Sequence, residues 1–244
     1  MPKARTSATP ATPAKPASAA KVRGRPPSRR APQAAAADRA PGQRVARQRA
    51  HNRHVALLEA AAHVFRRNGY GITTMRDIAA ASGMTPGAIY YHYPSKGDLL
   101  LAVYQEGVRR VTEAVDAALQ KAKNADAWMR LQQAVCAHVQ MMLAVSPDDA
   151  PYAGVFVQVQ PYDFPPEHHG ALIDLRNRYE DRIRELIAAL PLQRGVDRRL
   201  LRLNLIGALN HMPLGYRADG AKTPAAIARE LVRQLRQATG TPDS

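Results

Sequence analysis

The run Thr85, Pro86, Gly87, Ala88, Ile89, Tyr90, Tyr91, His92 holds the most legible chemistry in this chain. Thr85 is a side-chain cap, and Pro86 stands at the first helical position, where a missing N–H costs nothing. The free N–H groups and dipole of such a helix start favour phosphate. Gly87 and Ala88 are small enough to let the backbone come close to a partner. Tyr90, Tyr91 and His92 place polar-tipped side chains on the outward face, whereas Ile89 is spaced for a core. This combination suits the major groove of double-stranded DNA, where the first turn of a recognition helix approaches base edges. The bland alternative for the tyrosines is partial burial on an ordinary helix surface.

Other chemistry-bearing residues point to less. His168 and His169 stand beside Glu167 and Asp163, but adjacent histidines on a helix project about 100° apart, which is poor chelation geometry. No metal and no cofactor is therefore expected. The chain has no nucleophile elbow, phosphate-binding glycine loop or paired-carboxylate signature, so it does not read as an enzyme. Met141, Met142, Tyr152, Phe156, Phe164, His211 and Met212 are large residues that could line an apolar cavity for a small ligand, or simply fill a core. Cys136 is the single cysteine. That excludes an intrachain disulfide and fits a reducing compartment. With no secretory signal and no apolar run of ~20 residues, a cytoplasmic protein without a membrane partner is expected.

Charge and composition divide the chain. Residues 1–55 carry 13 Lys or Arg against one acid, Asp38, so most of the +15 net charge sits there. Residues 1–45 also hold eight of the 19 prolines and almost no large apolar residue. Such a segment cannot bury enough surface to offset chain entropy, and a disordered basic tail is expected. Within it Lys21 to Pro26 reads KVRGRP, in which Arg23 and Arg25 flank a glycine. Two such arginines can lie in a narrow A·T minor groove, or serve a nonspecific phosphate-binding arm. A solubilising tail is the third reading.

From His51 onward the apolar spacing is helical. Val55, Leu58, Ala62 and Phe65 make a first helix stopped by Gly69. Thr74 and Asp77 form a near capping box for a second, which Gly83 ends. Thr85 opens a third, and Ser95 with Asp98 opens a long fourth to about Lys121. Trp128 to Met142 forms another helix. The proline-rich stretch 147–166 suggests a short irregular helix, although Val155, Val157 and Val159 alternate like a strand. Leu172 to Leu190, residues 197–212 before Pro213, and a helix from Pro224 complete an all-α body of about nine helices.

Residues 74–93 thus read as a helix-turn-helix, two short helices joined at a glycine. The string RHVALLEAAAHVFRRNGYGITTMRDIAAASGMTPGAIYYHYPSKGDLL, from Arg53 to Leu100, resembles the N-terminal domain of the TetR family of bacterial regulators. The Ala-Ala-x-x-Phe, Gly-Tyr-x-x-Thr-Thr, Ile-Ala-x-x-Ser-Gly and Tyr-x-His-Tyr-x-Ser-Lys elements all stand in register. The resemblance implies Tyr90 and His92 as backbone clamps, Tyr91 as a base or thymine-methyl contact, and Thr74 and Lys96 as phosphate anchors. It also implies a DNA-binding domain at 51–111 and a ligand-binding, dimerising body at 112–240. Gly97 departs from the charged or helix-favouring residue expected at its place. The string IGALNHMPLGYRADGAKTPAAIARELV resembles the C-terminal end of family members that sense acyl-CoA or steroid-derived CoA thioesters. However, His211, Met212, Pro213 and Gly215 replace their aromatic residues.

The expectation is therefore a homodimeric transcriptional regulator, a repressor released from a palindromic operator by a small ligand such as an acyl-CoA thioester or hydrophobic acid. The stripes at 197–212 and 224–236 are candidates for the dimer contact. The alternative is a DNA-binding protein whose body is a protein-interaction module without an inducer.

Overall fold

A computed structural model describes residues 41–143, 151–159, 161–217 and 219–240. Among them are nine α-helices and no strand. The first, α1 (Pro41–Asn68), starts ten residues before His51. Residues 41–45, expected in the tail, are helical. Pro41 is tolerated at a helix start, and the Gln, Arg and Ala residues that follow favour helix without needing a buried face. The rest of the tail, with Arg23 and Arg25, lies outside the described residues. The packing described below belongs to the unit Val45–Ser244.

Helix α2 (Met75–Ser82) begins at a complete capping box, Thr74 and Asp77 each bonding the other's backbone N–H. It ends where Gly83 takes φ 67°, a left-handed conformation that a side chain would strain. Helix α3 (Pro86–His92) is capped by Thr85. Helix α4 (Lys96–Lys121) opens on a second capping box, Ser95 with Asp98. Each such cap contributes about 1 kcal/mol. Leu57, Leu58, Ala61, Ala62, Val64 and Phe65 of α1 pack against Met75, Ile78 and Ala79, Ile89, and Leu99, Leu100 and Val103 to form the head core.

That core does not stop at the head. Tyr152, Val155 and Val159, on and just after α6 (Pro151–Gln158), join it with Phe164 and Leu172. Val155 and Val157 therefore sit on a short helix and Val159 just after it, with no strand among the described residues to pair with. Two 3-10 turns, Pro161–Asp163 and Pro166–His168, connect α6 to α7 (His169–Ala188).

The body core forms around α5 (Ala127–Met142), through Trp128, Leu131, Val135 and Val139. It adds Val111 and Val115 of α4, Ile183 and Ile187 of α7, Leu205 and Leu209 of α8 (Arg198–Gly215), and Val232 of α9 (Pro224–Ala238). Helix α8 continues through Pro213 to Gly215 instead of ending before it. A proline this close to the end of a helix forfeits one backbone bond without stopping the last half-turn. Helix α4 gives Leu99, Leu100 and Val103 to the head core and Val111 and Val115 to the body core; α6 and α7 also have residues in both, so the three together join head to body.

Two glycines on α4 set its approach to its neighbours. At Gly107 a Cβ would lie 2.6 Å from Phe156 Cζ and 2.9 Å from Tyr152 Cβ, so α6 crosses against bare backbone. At Gly97 a Cβ would lie 2.6 Å from Pro165 Cγ. Gly97, unhelpful to helix formation on its own, is what lets the 165–168 turn seat on the first turn of α4. Beside it His168 Nε2 approaches Asp98 Oδ1 at 3.2 Å.

Candidate nucleic-acid interface and body cavity

Helix α3 is held by one fully buried residue, Ile89, and turns nearly everything else outward. Tyr91 is 86% exposed and Tyr90 50%. Thr85, Pro86, Gly87 and His92 are also exposed, and Ala88 is half-buried. Thr85 Oγ1 accepts from the Ala88 N–H at 3.3 Å and the Thr85 carbonyl accepts from the Ile89 N–H at 3.3 Å. Pro86 has no N–H, so the Gly87 N–H is the one the cap does not engage. The Tyr91 and His92 rings meet edge-on with centroids 5.2 Å apart. Tyr93 is half-buried: it packs on the head core while its hydroxyl lies 3.4 Å from the His54 ring.

The two expected phosphate anchors differ. Thr74 is exposed at the start of α2, its hydroxyl donating to Asp77 Oδ2 at 2.8 Å. The Thr74 backbone N–H, followed by its hydroxyl, holds the Asp77 carboxyl below the usual carboxylate range. Lys96 turns its ammonium inward. Nζ donates to the carbonyls of Tyr70 at 2.7 Å, Thr73 at 2.8 Å and Gly71 at 3.3 Å, and lies 4.3 Å above the Tyr70 ring. Partial burial lowers its pKa. With all three donors used, this side chain ties the α1–α2 turn to α4.

The body holds a cavity of about 240 Å³ between α4, α5, α6, α7 and α8. Tyr104 forms its aromatic wall, edge-on to Phe156 at 4.7 Å and to Phe164 at 5.7 Å. His138, from α5, is 4% exposed; its Nδ1 lies 2.5 Å from the Tyr179 hydroxyl, and burial pushes its pKa down to about 4. Arg176, Glu180, Asn210 and His211 supply the polar lining. Glu180 is ion-paired to Arg202, and Arg176 reaches it only at 4.0 Å.

Four of the seven residues expected to line a cavity do so: Met142, Phe156, Phe164 and His211. The other three do not. Met141 is adjacent to Met142 on α5, so the two point about 100° apart, and Met141 lines a separate groove with Cys136 and Arg229. Tyr152 is buried in the head core, with the Arg110 guanidinium 4.8 Å from its ring centroid. Met212 packs on the body core. Among the described residues no His, Cys, Asp and Glu cluster has metal-binding geometry, and His169 Nε2 instead lies 2.9 Å from the Phe164 carbonyl. No described helix is long and apolar enough to cross a membrane.

Residues 57–103 match the family model "Bacterial regulatory proteins, tetR family", and residues 124–239 match "Tetracyclin repressor-like, C-terminal domain". The chain belongs to the TetR family. The HTH-type transcriptional regulator CymR of Pseudomonas putida is 35% identical over 86 residues, 35% of this chain and 42% of that protein. The chain spans about two fifths of the length of the curated relatives it first matches. A TetR-family bacterial regulatory protein from Rhodococcus RHA1 is 27% identical, with a TM-score of 0.66 over 78% of this chain and 98% of that one. AibR, solved with isovaleryl coenzyme A and operator DNA, shares the fold at 24% identity, with a TM-score of 0.63 over 75% of this chain and 97% of that one.

For this TetR-family chain, sequence reasoning passed over His138, Tyr179, Tyr104 and Gly107, and met Gly97 only as a departure from the expected residue. The signal for His138 was present. Leu131, Val135, Val139 and Met142 define a buried stripe of α5, and His138 interrupts it with a polar ring. The two glycines could not be read so, because their role depends on partners some 50 to 70 residues away.

Proposed function

We propose that this protein is a homodimeric, sequence-specific DNA-binding regulator, a repressor that leaves an inverted-repeat operator when a small hydrophobic effector fills the body cavity. The observation that carries the DNA-binding reading is the presentation of α3. One buried isoleucine fixes the helix, while Thr85 to Ala88 and Tyr90 to His92 are offered outward in the form a major groove accepts. Thr85, Pro86, Gly87 and Ala88 approach the base edges, Tyr91 touches a base, and Tyr90, His92 and Thr74 hold the backbone. Lys96 contributes its backbone N–H at the start of α4, since its ammonium is already engaged. Arg23 and Arg25 in the basic tail add attraction to phosphate or the minor groove.

Dimerisation follows from α8, which leaves Leu200, Leu203 and Leu214 between 49% and 67% exposed. Together with Gly207 and Asn210 they make a stripe at alternating three- and four-residue spacing, suited to a second copy of the same helix. Two heads about one DNA turn apart then read the two halves of an operator.

The cavity supports an effector over the reading of the body as a protein-interaction module. It is larger than the ~150 Å³ that holds benzene and smaller than the ~300 Å³ lower bound for drug-sized ligands. A coenzyme A thioester would place its acyl group inside and its nucleotide beyond the rim. The AibR complex shows a short acyl thioester used by a protein of this fold. The route to the head is short: Phe164 lines the cavity, and the next residue, Pro165, rests on Gly97. Near-complete release requires the effector to prefer the released state by several kcal/mol.

The test is fluorescence anisotropy of the full chain on its own upstream intergenic DNA, with a panel of acyl-CoA thioesters and hydrophobic acids added. Saturable binding, reversed by one class of the panel, is expected. No binding to that DNA would end the proposal, and binding that no compound reverses would return the body to the interaction-module reading.

A further inference from the structure

His138 and Tyr179 are more than a buried polar pair. The imidazole is over nine-tenths buried, its Nδ1 is bound to the Tyr179 hydroxyl, and its Nε2 has no hydrogen-bond partner among the described residues. Both rings line the cavity. A buried polar nitrogen left unmatched is unfavourable by about 1–3 kcal/mol, so an apolar residue on the same stripe would stabilise the apo protein better. Nε2 has no open space against it in this structure, so an acceptor entering the cavity reaches it only with a turn of the ring; the hydrogen bond so made removes that penalty.

The direction of the bond follows from the pair. A phenol is the stronger proton donor of the two groups, and a neutral imidazole nitrogen is the stronger acceptor. Tyr179 therefore donates to Nδ1, which leaves the proton on Nε2. Burial keeps the ring neutral near pH 7. The charged and titratable groups on the surrounding elements are Tyr104 from α4, Tyr179, Arg176 and Glu180 from α7, and His211 from α8. Glu180 is already paired with Arg202. Among the described residues no cation hydrogen-bonds the His138 ring, and Arg176, the one Lys or Arg of the lining, already stands beside Glu180. A carboxylate placed against Nε2 would therefore be a buried charge with no counter-charge of its own. A neutral acceptor meets no such penalty, and the apolar remainder of the molecule faces Tyr104, Phe156 and Phe164.

We infer that the cavity selects a compact, neutral carbonyl compound whose oxygen accepts a hydrogen bond from Nε2 of His138, with Tyr179 fixing the imidazole tautomer. This rests on the reading of the cavity as the effector site. The carbonyl of a ketone, an ester or an acyl thioester meets the requirement; a free carboxylate or a plain hydrocarbon does not.

Three probes of one shape separate these cases: acetophenone, ethylbenzene and benzoate, titrated calorimetrically into the full-length protein. Hydrophobic transfer alone favours ethylbenzene, so a preference for acetophenone requires a polar contact. Acetophenone is expected to bind about tenfold tighter than ethylbenzene, with benzoate the weakest. His138→Leu should erase that preference, and His138→Gln, which keeps a donor near the Nε2 position, should retain part of it. Equal binding of acetophenone and ethylbenzene, or benzoate binding best, overturns the carbonyl assignment while leaving the cavity as a binding site. A His138→Leu protein that folds and still prefers acetophenone overturns the role of His138. Binding of none of the three at millimolar concentration overturns the effector-site reading and this inference with it. The wild-type comparison decides the carbonyl assignment even if His138→Leu does not fold.

Discussion

Replacing Gly107 with alanine tests the contact that seats α6 on α4. Alanine is favoured over glycine inside a helix by about 1 kcal/mol, so on propensity alone the substitution stabilises. The structure reverses that sign. The new methyl would lie 2.6 Å from Phe156 Cζ and 2.9 Å from Tyr152 Cβ, both well inside contact distance. The Phe156 ring can swing, but Tyr152 Cβ is bonded to the α6 backbone and moves only with it. Overpacking of this kind is destabilising by about 1–3 kcal/mol, which leaves a net loss of up to about 2 kcal/mol. At roughly 2–4 °C per kcal/mol for a body of this size, Tm should fall by up to about 8 °C. Gly170→Ala is the matched control, because nothing stands within 4 Å of its added methyl and its Tm should hold or rise. Differential scanning fluorimetry at fixed protein concentration reads both. A Gly107→Ala protein with a Tm above wild type, as propensity alone would give, would refute the close crossing of α4 and α6.

The remaining predictions concern charge, DNA and assembly. Burial holds the His138 pKa at about 4, below the ~6.5 of an unfolded histidine, so unfolding takes up a proton between those values. Its contribution to stability is fully present above pH ~6.5 and is lost as pH falls toward 4, on the order of 3 kcal/mol in all; His138→Leu should flatten that part of a urea-denaturation pH profile. Tyr91→Ala, at a side chain 86% exposed, should leave Tm unchanged and weaken operator binding by roughly 5- to 100-fold, as anisotropy would show. Leu200→Glu with Leu203→Glu should shift sedimentation toward monomer and lower operator affinity together, since both leucines stand on the exposed stripe of α8. Deleting residues 1–40 should weaken operator binding and make the slope of log affinity against log salt shallower; an unchanged slope would remove the tail from the interface.

The head was legible in the sequence because its signals are local. Thr74 with Asp77, Gly83, Thr85 with Pro86, and Ser95 with Asp98 each act within four residues, and the structure has every one of them at a helix end. The cavity was legible only by residue type. Large apolar side chains mark a core as readily as a cavity, and which one they mark depends on helix rotation, as the divergence of Met141 from Met142 shows. The direction of the Lys96 side chain was illegible for a different reason. Its position matches a phosphate anchor, but the three carbonyls that hold its ammonium come from a turn over 20 residues earlier. The start of α1 was misplaced because helix formers with no apolar face leave no periodic signal before His51.

The Lys96 tether has a consequence for how such a protein can be tuned. By binding the turn after α1 to the start of α4, and with Ile89 buried in the same core, it joins the reading helix to its frame. The tether and the shared core pack α1, α2, α3 and the start of α4 as one unit. On the proposed mechanism, a signal arriving along α4 would act by changing the position of this unit, leaving the outer face of α3 as it is. Affinity for the bases and responsiveness to the effector become independent traits, one written on the outer face of α3 and the other in the linkage behind it. Substitutions could retarget the binding site without retraining the sensor.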